Sequence, residues 1–162
     1  MTKKLKISLV GRTNAGKSTL INCIVGEKIS IQNKKINTTQ DTIIGIRNIK
    51  ESQFIFYDTP GSNFLKNLDI QSKKLKKNLW NGIDESDLIL YLIDSSSINT
   101  KFLLEQLEKL NETKKKIIVV FNKTDLILNK KLLPIITKIS NQFKVESFFT
   151  ISAKKNIGID DI

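Results

Sequence analysis

A glycine-rich segment near the N-terminus has the residue types and spacing of a phosphate-binding loop. Residues 11–18, Gly-Arg-Thr-Asn-Ala-Gly-Lys-Ser, fit the pattern G-x-x-x-x-G-K-[ST] between a strand-like and a helix-like run. Glycines let successive backbone N–H groups wrap phosphate oxygens, and the following helix N-terminus adds a positive dipole end. Lys17 would place its charge on the β- and γ-phosphates, and Ser18 is placed to bind Mg²⁺. The alternative, a glycine loop that is only a tight turn, fits this context less well.

A second chemical feature, Asp58-Thr59-Pro60-Gly61, follows another strand-like run directly. A carboxylate at the end of a strand beside a phosphate-binding loop can hold Mg²⁺ through water. Gly61 lacks a side chain, so its N–H can approach a γ-phosphate closely. All four residues also favour turns, and by itself the segment would be predicted as a turn. The phosphate-binding loop before it favours the metal-site interpretation.

The third and fourth features predict a pocket for guanine. In Asn122-Lys123-Thr124-Asp125, the carboxylate of Asp125 can accept hydrogen bonds from N1–H and the N2 amine of guanine, whereas adenine would leave it unpaired. A site built in this way can discriminate between bases by about 10⁴. Ser152-Ala153-Lys154 could supply the Ala153 backbone N–H to guanine O6, although this tripeptide alone would be predicted as a loop.

The rest of the chain alternates strand-like and helix-like segments, which is the pattern of a doubly wound α/β sheet. Apolar runs predict strands at 6–10, 54–57, 88–93, 117–121 and 148–151, and helical spacing predicts helices at 17–25, 100–110 and 130–142. Residues 42–49 alternate polar and apolar residues, which favours an antiparallel hairpin with the strand at 54. The sequence therefore predicts about six strands, one of them antiparallel, without a linker or a repeat.

Composition excludes several kinds of chemistry. The 162 residues are 40% hydrophobic and 27% charged, as in one globular domain, and no apolar run approaches the about 18 residues of a membrane span. The chain lacks histidine, which excludes His-ligated metals and His general bases, and its one cysteine, Cys23, is predicted to be a buried, inert thiol. The formal charge of +11 favours phosphate-bearing partners. However, Lys, Ile and Asn are residues of A/T-rich codons, so genome composition is the simpler explanation.

The order of these four features, each after a strand, resembles the TRAFAC-class, translation-factor-like GTPases and, within them, the Era family of ribosome-associated GTPases. The resemblance covers essentially the whole chain and is most specific at 26–31 and 37–46. It implies a three-layer P-loop NTPase fold of the Ras-like G-domain type. It also implies a Mg²⁺-dependent molecular switch that binds GTP and hydrolyses it slowly. Thr39, with Thr38 as the second candidate, would reach Mg²⁺ and the γ-phosphate, and residues 59–72 would rearrange with the nucleotide.

Site residues are assigned by role from the motifs and the resemblance together. The catalytic residues are Lys17, Thr39, Gly61 and Asn14, the metal-binding residues are Ser18, Thr39 and Asp58, and the nucleotide-binding residues are Asn14, Ala15, Gly16, Lys17, Ser18, Thr19, Asp58, Gly61, Asn122, Lys123, Asp125, Ser152, Ala153 and Lys154. Asn14 stands where related tRNA-modification GTPases help to hold a K⁺ ion; alternatively, it only hydrogen-bonds its own backbone. Ser62 is too short to orient a water as the Gln of other GTPases does, which leaves water positioning open.

Further expectations follow from the same resemblance. Residues 1–162 are interpreted as an Era-type G domain that lacks its last helix and the KH domain through which Era proteins bind small-subunit ribosomal RNA. Without that helix, apolar side chains near 5–10 and 148–151 are expected to lie open. The implied partners are GTP, GDP, that RNA and the ribosomal subunit, with a role in small-subunit assembly. The implied location is cytoplasmic, with peripheral association at the inner membrane.

Other functions remain alternatives at this point. One is a related GTPase of the TrmE or EngA type that acts in tRNA modification or large-subunit assembly. Another is a P-loop ATPase or kinase, against which Asp125 argues. The third is a nucleotide-gated binding module with negligible hydrolysis, against which the intact Lys17, Ser18, Thr39 and Asp58 argue.

Overall fold

The computed structural model describes residues 3–26, 42–59 and 80–162. Its strands are β1 (Lys3–Gly11), β2 (Thr42–Ile49), β3 (Ser52–Asp58), β4 (Leu88–Asp94), β5 (Lys116–Asn122) and β6 (Ser147–Thr150). Its helices include α1 (Lys17–Val25), α2 (Thr100–Glu112) and α3 (Leu133–Gln142), and residues 80–84 are also helical. The strands form one sheet in the order β2-β3-β1-β4-β5-β6, in which β2 runs antiparallel to β3 and the other neighbours are parallel. The predicted six-stranded, mostly parallel sheet is confirmed.

Two apolar cores cover the two faces of the sheet, which makes the fold three-layered. In β4, Tyr91 and Ile93 pack with α2 and α3 on one face, whereas Leu90 and Leu92 pack with α1 on the other. This alternation explains why β4 is apolar throughout: a strand covered on both faces needs apolar residues at every position. Trp80 is half-buried against the α2 and α3 core. Within the described ranges, no helix is long and apolar enough to cross a membrane.

The carboxyl ends of the central strands meet at one edge of the sheet. Leu9 of β1 pairs with Asp58 of β3, and Asp94 of β4 pairs with Asn122 of β5. In open α/β sheets, ligands bind outside the carboxyl ends of the strands, at the point where the strand order reverses. β1 is such a point, because the chain first proceeds from it to β3 and then to β4 on its other side. The fold therefore brings the sequence motifs together at this edge.

The β2–β3 hairpin is confirmed and is held against α1 by a glycine. The ladder shifts register between Ile43 and Gly45, and a Cβ at position 45 would lie 2.7 Å from Val25 Cγ2 of α1. A side chain there would require either the Val25 side chain or the hairpin to shift. Arg47 fixes the same contact by donating from Nη1 to the Ile24 carbonyl at 2.7 Å, near the end of α1.

The expectation that residues 5–10 and 148–151 lie open is wrong for most of those residues. Ile7, Leu9 and Ile151 are 5%, 0% and 0% exposed. These residues share one core with α1 and with the last turn, in which Ser152 and Ile157 exchange backbone hydrogen bonds at 3.0 Å and Ile159 joins the α1 core. Leu5, Phe148 and Phe149 are half-buried.

Element boundaries differ slightly from those predicted. The helix expected at 130–142 begins with a 3-10 turn, Asn129–Leu132, and becomes α-helical at Leu133, where Pro134 occupies the first turn. A proline is tolerated there because the first N–H groups of a helix have no intrahelical partner. The helix predicted at 100–110 continues to Glu112, and the last strand ends at Thr150.

Candidate nucleotide-binding site

The glycine-rich loop between β1 and α1 adopts a conformation that only some residues accept. Asn14 and Gly16 have positive φ angles of 64° and 98°. Asn tolerates the left-handed region, and Gly16 is required for a second reason, since a Cβ there would collide with the side-chain amide of Asn122. Gly16 caps α1 without a side-chain hydrogen bond, and the first turn of α1 has no acidic residue. The first N–H groups of α1 are thus left to an anionic ligand.

Lys17 lies over this loop. Its Nζ is 3.2 Å from the Gly11 carbonyl and 3.4 Å from the Arg12 carbonyl, so it donates towards both. These contacts direct the ammonium at the concave side of the loop, where successive N–H groups would hold phosphate oxygens. The position suits a point charge that neutralises a polyphosphate.

Asn122 joins the phosphate loop to the base loops. Its Nδ2 donates to the Ala15 carbonyl at 2.8 Å, and its Oδ1 accepts from the Ala153 N–H at 3.0 Å. Asn122 is only 2% exposed, so both hydrogen bonds are shielded from water. Asn122 therefore sets the spacing between the phosphate and base parts of the site. The Ala153 N–H predicted for guanine O6 is already engaged by Asn122, so a base would have to share this donor.

Asp125 faces the last loop and has a firmly ionised carboxyl. Its Oδ1 accepts a hydrogen bond from the Ser152 hydroxyl at 2.7 Å, and its Oδ2 is 3.9 Å from Lys155 Nζ. The Ser152 hydrogen bond holds the pKa of Asp125 below its ordinary value, and Lys155 and Lys154 act in the same direction. Because its pKa is lowered, Asp125 is protonated, and loses its strength as a hydrogen-bond acceptor, only at a pH below the ordinary aspartate pKa of about 4. The carboxylate is thus an acceptor at neutral pH.

The side chain of Lys123 contacts β4, on the other side of β5 from the loop that Asp125 contacts. Its backbone is left-handed, with φ 62°, and its Nζ forms an ion pair with Asp94 Oδ2 at the end of β4. Asp94 Oδ1 also accepts from the Ser96 N–H and hydroxyl at 2.9 and 2.6 Å. Burial alone would raise the pKa of Asp94, but the hydrogen bonds from Lys123 and Ser96 outweigh it and hold the pKa below its ordinary value.

The predicted metal-binding residues are only partly described. Ser18 lies in the first turn of α1, and its exposed hydroxyl makes no hydrogen bond to another residue in the described ranges. The backbone of Asp58 ends β3 next to β1, and Thr59 Oγ1 donates to the Leu9 carbonyl at 2.6 Å, which ties the two strands together. Thr39 and Gly61 lie outside the described residues. Thr19 and Lys154 are exposed beside the loops to which they belong.

Two features of the site were missed by sequence reasoning, and one prediction needs correction. Asp94 could have been noticed, because it is a carboxylate at the end of a strand, as Asp58 is. Cys23, predicted to be buried, is only half-buried, and its Sγ lies 3.1 Å from the Ala153 carbonyl, so the thiol helps to hold the last loop against α1. The guanidinium of Arg12 lies 5.3 Å from the centre of the Phe102 ring, at a cavity of about 250 Å³ beside the phosphate loop.

Known proteins match this chain in sequence and in fold. GTPase Era of Ruminiclostridium cellulolyticum is 39% identical over 158 residues, which is 95% of this chain and 51% of the relative. GTPase Era of Buchnera aphidicola is 40% identical over 152 residues, 92% of this chain and 52% of the relative. The chain thus spans about half the length of the curated relatives it matches.

Solved Era structures have the same fold over nearly the whole chain. An Era crystal structure in complex with MgGDPNP and nucleotides 1506-1542 of 16S ribosomal RNA superposes with a TM-score of 0.77 at 30% identity, covering 99% of this chain and 55% of that one. The structure of Aquifex aeolicus Era bound to GDP and AlF₄⁻ also superposes with a TM-score of 0.77, at 32% identity. The match covers 98% of this chain and 54% of that one.

A family model assigns the family directly. The model described as 50S ribosome-binding GTPase matches residues 6–123, which run from β1 through the phosphate loop into the base loop and make up well over half of the chain. Of the geometry described above, the match includes the phosphate loop and Asn122, and it ends before Asp125 and Ser152. The chain belongs to this GTPase family and, within it, is of the Era type.

Proposed function

We propose that this chain binds GTP, hydrolyses it slowly to GDP and phosphate, and acts as an Era-type molecular switch. The observation that carries the proposal is the buried side chain of Asn122, which bonds the phosphate loop at Ala15 and the base loop at Ala153 at once. This bridge makes sense for a ligand that has phosphates at one end and a base at the other. An ionised Asp125 near the bridge is the acceptor that guanine requires and adenine does not match.

The donor set suits Mg²⁺ bound chiefly through a nucleotide. Ser18 has a hydroxyl with no other partner in the described part of the chain, and the backbone of Asp58 ends β3 beside the phosphate loop. Among the described residues no three carboxylate, thiol or imidazole groups converge, so the ion would take hydroxyl, phosphate and water oxygens. We assign Ser18, Asp58 and Thr39 as the residues that hold it. When bound, Mg²⁺ neutralises charge on the phosphates and orients them.

The chain's own groups do the rest of the proposed work. Lys17 and the N–H groups of the phosphate loop hold the β- and γ-phosphates and stabilise charge that grows as the terminal phosphate leaves. Thr39 and Gly61 are assigned to the γ-phosphate, so its loss would release the segments 36–41 and 59–72. The group that positions the attacking water is not Ser62, whose side chain is too short.

The proposed partner is small-subunit ribosomal RNA. The Era structure that matches this chain holds part of 16S ribosomal RNA. A charge of +11 favours RNA in general but does not choose a site. We propose a role in small-subunit assembly for the protein to which this G domain belongs, with the RNA-binding KH domain outside residues 1–162. The cytoplasmic location and peripheral contact with the inner membrane stay predictions.

Nucleotide competition combined with phosphate release tests the proposal. A fluorescent GDP analogue should be displaced by GTP and GDP, whereas ATP should require about a thousandfold higher concentration. Phosphate should then be released slowly from GTP, and more quickly if ribosomal RNA is the physiological trigger. Displacement by ATP as well as by GTP would support the ATPase or kinase alternative. Binding of GTP with no phosphate released would support the binding module.

Removal of the Ser18 hydroxyl should affect only the metal-dependent part of binding. In the parent, GDP affinity is expected to fall when Mg²⁺ is chelated, because the ion bridges Ser18 and a phosphate. In Ser18→Ala, the affinity for GDP should be the same with and without Mg²⁺. Titration with a fluorescent GDP analogue measures this.

The matched control is Ser140→Ala, which deletes a hydroxyl bonded to the Ile136 carbonyl on α3. It should respond to chelation as the parent does. If Ser18→Ala keeps the parent's dependence on Mg²⁺, the hydroxyl is not a ligand.

Asn14 is proposed to help hold K⁺ against the phosphates. GTP turnover is expected to be faster in K⁺ than in Na⁺ at equal ionic strength, because a cation there would neutralise charge developing in the transition state. Measured rates of phosphate release in the two salts test this.

Two substitutions separate the carboxamide from the backbone. Asn14→Gly keeps the left-handed φ of 64° accessible but removes the oxygen, so it should still bind GDP and lose the preference for K⁺. Asn14→Asp keeps a side-chain oxygen and should retain part of the preference for K⁺. A parent whose rate does not depend on the cation would refute the K⁺ site.

A further inference from the structure

The side chains of Lys123 and Asp125 leave the base loop, residues 122–125, on opposite sides. Lys123 is paired with Asp94 at the end of β4, and Asp125 is bonded to Ser152 after β6. Because β4 and β6 lie on the two sides of β5, the loop holds a positive charge towards one neighbour and a negative charge towards the other. This separation is not expected for two oppositely charged residues only two positions apart.

Asp94 is held in place by contacts of its own. Its Oδ1 accepts from the N–H and hydroxyl of Ser96, as the cap of the 3-10 turn Ser95–Ser97, and its Oδ2 is left for Lys123. The register of the sheet sets Asp94 directly beside Asn122, one residue before Lys123. The side chains of Lys123 and Asp94 are 29% and 17% exposed, so water screens their attraction less than it screens a surface pair.

Positive charge exceeds negative charge around Asp125. Lys155 Nζ is 3.9 Å from its Oδ2, and Lys154 contributes to the same positive potential. The Lys155 side chain is 58% exposed, so its pairing is weak and a ligand can displace it. Lys123, two positions before Asp125, carries a third ammonium, which in this structure is paired with Asp94 instead. If that ammonium paired with Asp125, a guanine edge would have to compete with it.

We propose that Asp94 is a positioning residue of the guanine pocket: it holds the Lys123 ammonium on the β4 side of the base loop and thereby keeps the Asp125 carboxylate available to guanine. This inference rests on the proposed function, because it gives Asp94 a task in guanine binding.

Asp94→Asn tests the charge without removing the turn, since the asparagine oxygen can still accept from Ser96. We expect GDP affinity to fall about tenfold, as expected for losing one partner of a half-shielded ion pair. The deficit relative to the parent should shrink in about 1 M salt, where screening weakens the competing attraction between Lys123 and Asp125. Titration with a fluorescent GDP analogue at low and high salt measures both.

A double-mutant cycle shows whether Asp94 acts through Lys123. Lys123→Met removes the ammonium and keeps a linear side chain, so adding Asp94→Asn to it should change GDP affinity by less than about twofold. Asp94→Glu keeps the carboxylate and should retain affinity within about threefold of the parent. Ser96→Ala leaves both charges and the backbone bond to Asp94 in place, and should bind as the parent does.

Each other result overturns the inference. A loss in Asp94→Asn that is equal at both salt concentrations, or that persists in the Lys123→Met background, would mean that Asp94 supports the turn rather than Lys123. Equal GDP affinity in the parent and Asp94→Asn would refute the inference and leave the proposed function intact. A parent that binds no guanine nucleotide would overturn both. If Asp94→Asn does not fold, a loss in Asp94→Glu as large as that from Asp94→Ala would refute the role of the charge.

Discussion

Lys17→Ala should abolish the stabilisation that GDP gives to this chain. In the parent, GDP at a hundredfold excess over its Kd would contribute about 2.7 kcal/mol to the free energy of unfolding, which raises the melting temperature by roughly 5–10 °C. The variant lacks the ammonium that lies over the phosphate loop, within 3.2 Å of the Gly11 carbonyl. We therefore expect no shift at the same GDP concentration. Thermal denaturation with and without GDP measures this.

The ligand-free stability should hardly change in the same variant. Alanine is a good residue for the start of α1, and the carbonyls of Gly11 and Arg12 can bond to water instead. Lys138→Ala is the matched control, because it removes the same charge from the exposed face of α3. It should keep the full shift with GDP. A Lys17→Ala variant that GDP stabilises as it does the parent would mean that the nucleotide lies elsewhere.

The fold follows from the sequence because the central strands, such as β4, are covered on both faces. Such strands need apolar residues at consecutive positions, and the run at 88–93 lies within β4 for that reason. The chemistry-bearing residues come directly after these runs. The carboxyl ends of parallel strands share one edge, so the predicted neighbourhood of Lys17, Asn122 and Asp125 needed no distance information.

Contacts between distant positions could not be predicted in this way. Asp94 and Lys123 are 29 positions apart, and they meet only because β4 and β5 pair in one particular register. The hydrogen bond from the Ala153 N–H to Asn122 is a similar case. Both residues were predicted in the pocket, but the sequence did not indicate that Asn122 would accept the hydrogen bond of the Ala153 N–H. Motifs identify which groups are present, whereas the register and the loop backbone decide which of them bond.

The closing turn shows a second limit of the sequence patterns. Residues 152–159 show no helical spacing of apolar residues, so the sequence patterns predict no cover for the sheet from them. Gly158 allows the turn, with φ 70°, and a Cβ there would lie 2.8 Å from the Thr150 carbonyl. Ile159, the next residue, lies in the α1 core together with the buried Ile151. The positive φ of Gly158 is therefore one part of a burial pattern that periodicity did not indicate.

Asp125→Asn should change the base that this chain binds. Asparagine presents one acceptor and one donor where the carboxylate presents two acceptors, so it cannot accept from both N1–H and the N2 amine of guanine. Xanthine has an oxygen at C2 in place of the amine and suits the amide. We expect GTP affinity to fall by about 10³–10⁴ and binding of XTP to appear. Competition of GTP and XTP against a fluorescent nucleotide measures both effects.

The local structure should survive this substitution. The asparagine oxygen can still accept from the Ser152 hydroxyl, and the loss of the pair with Lys155 is minor, because that side chain is largely exposed. Asp161→Asn makes the same chemical change at an exposed site and should leave both affinities as in the parent. If Asp125→Asn binds GTP as tightly as the parent does, Asp125 does not contact the base, and the role of Asp94 in keeping it available would be refuted as well.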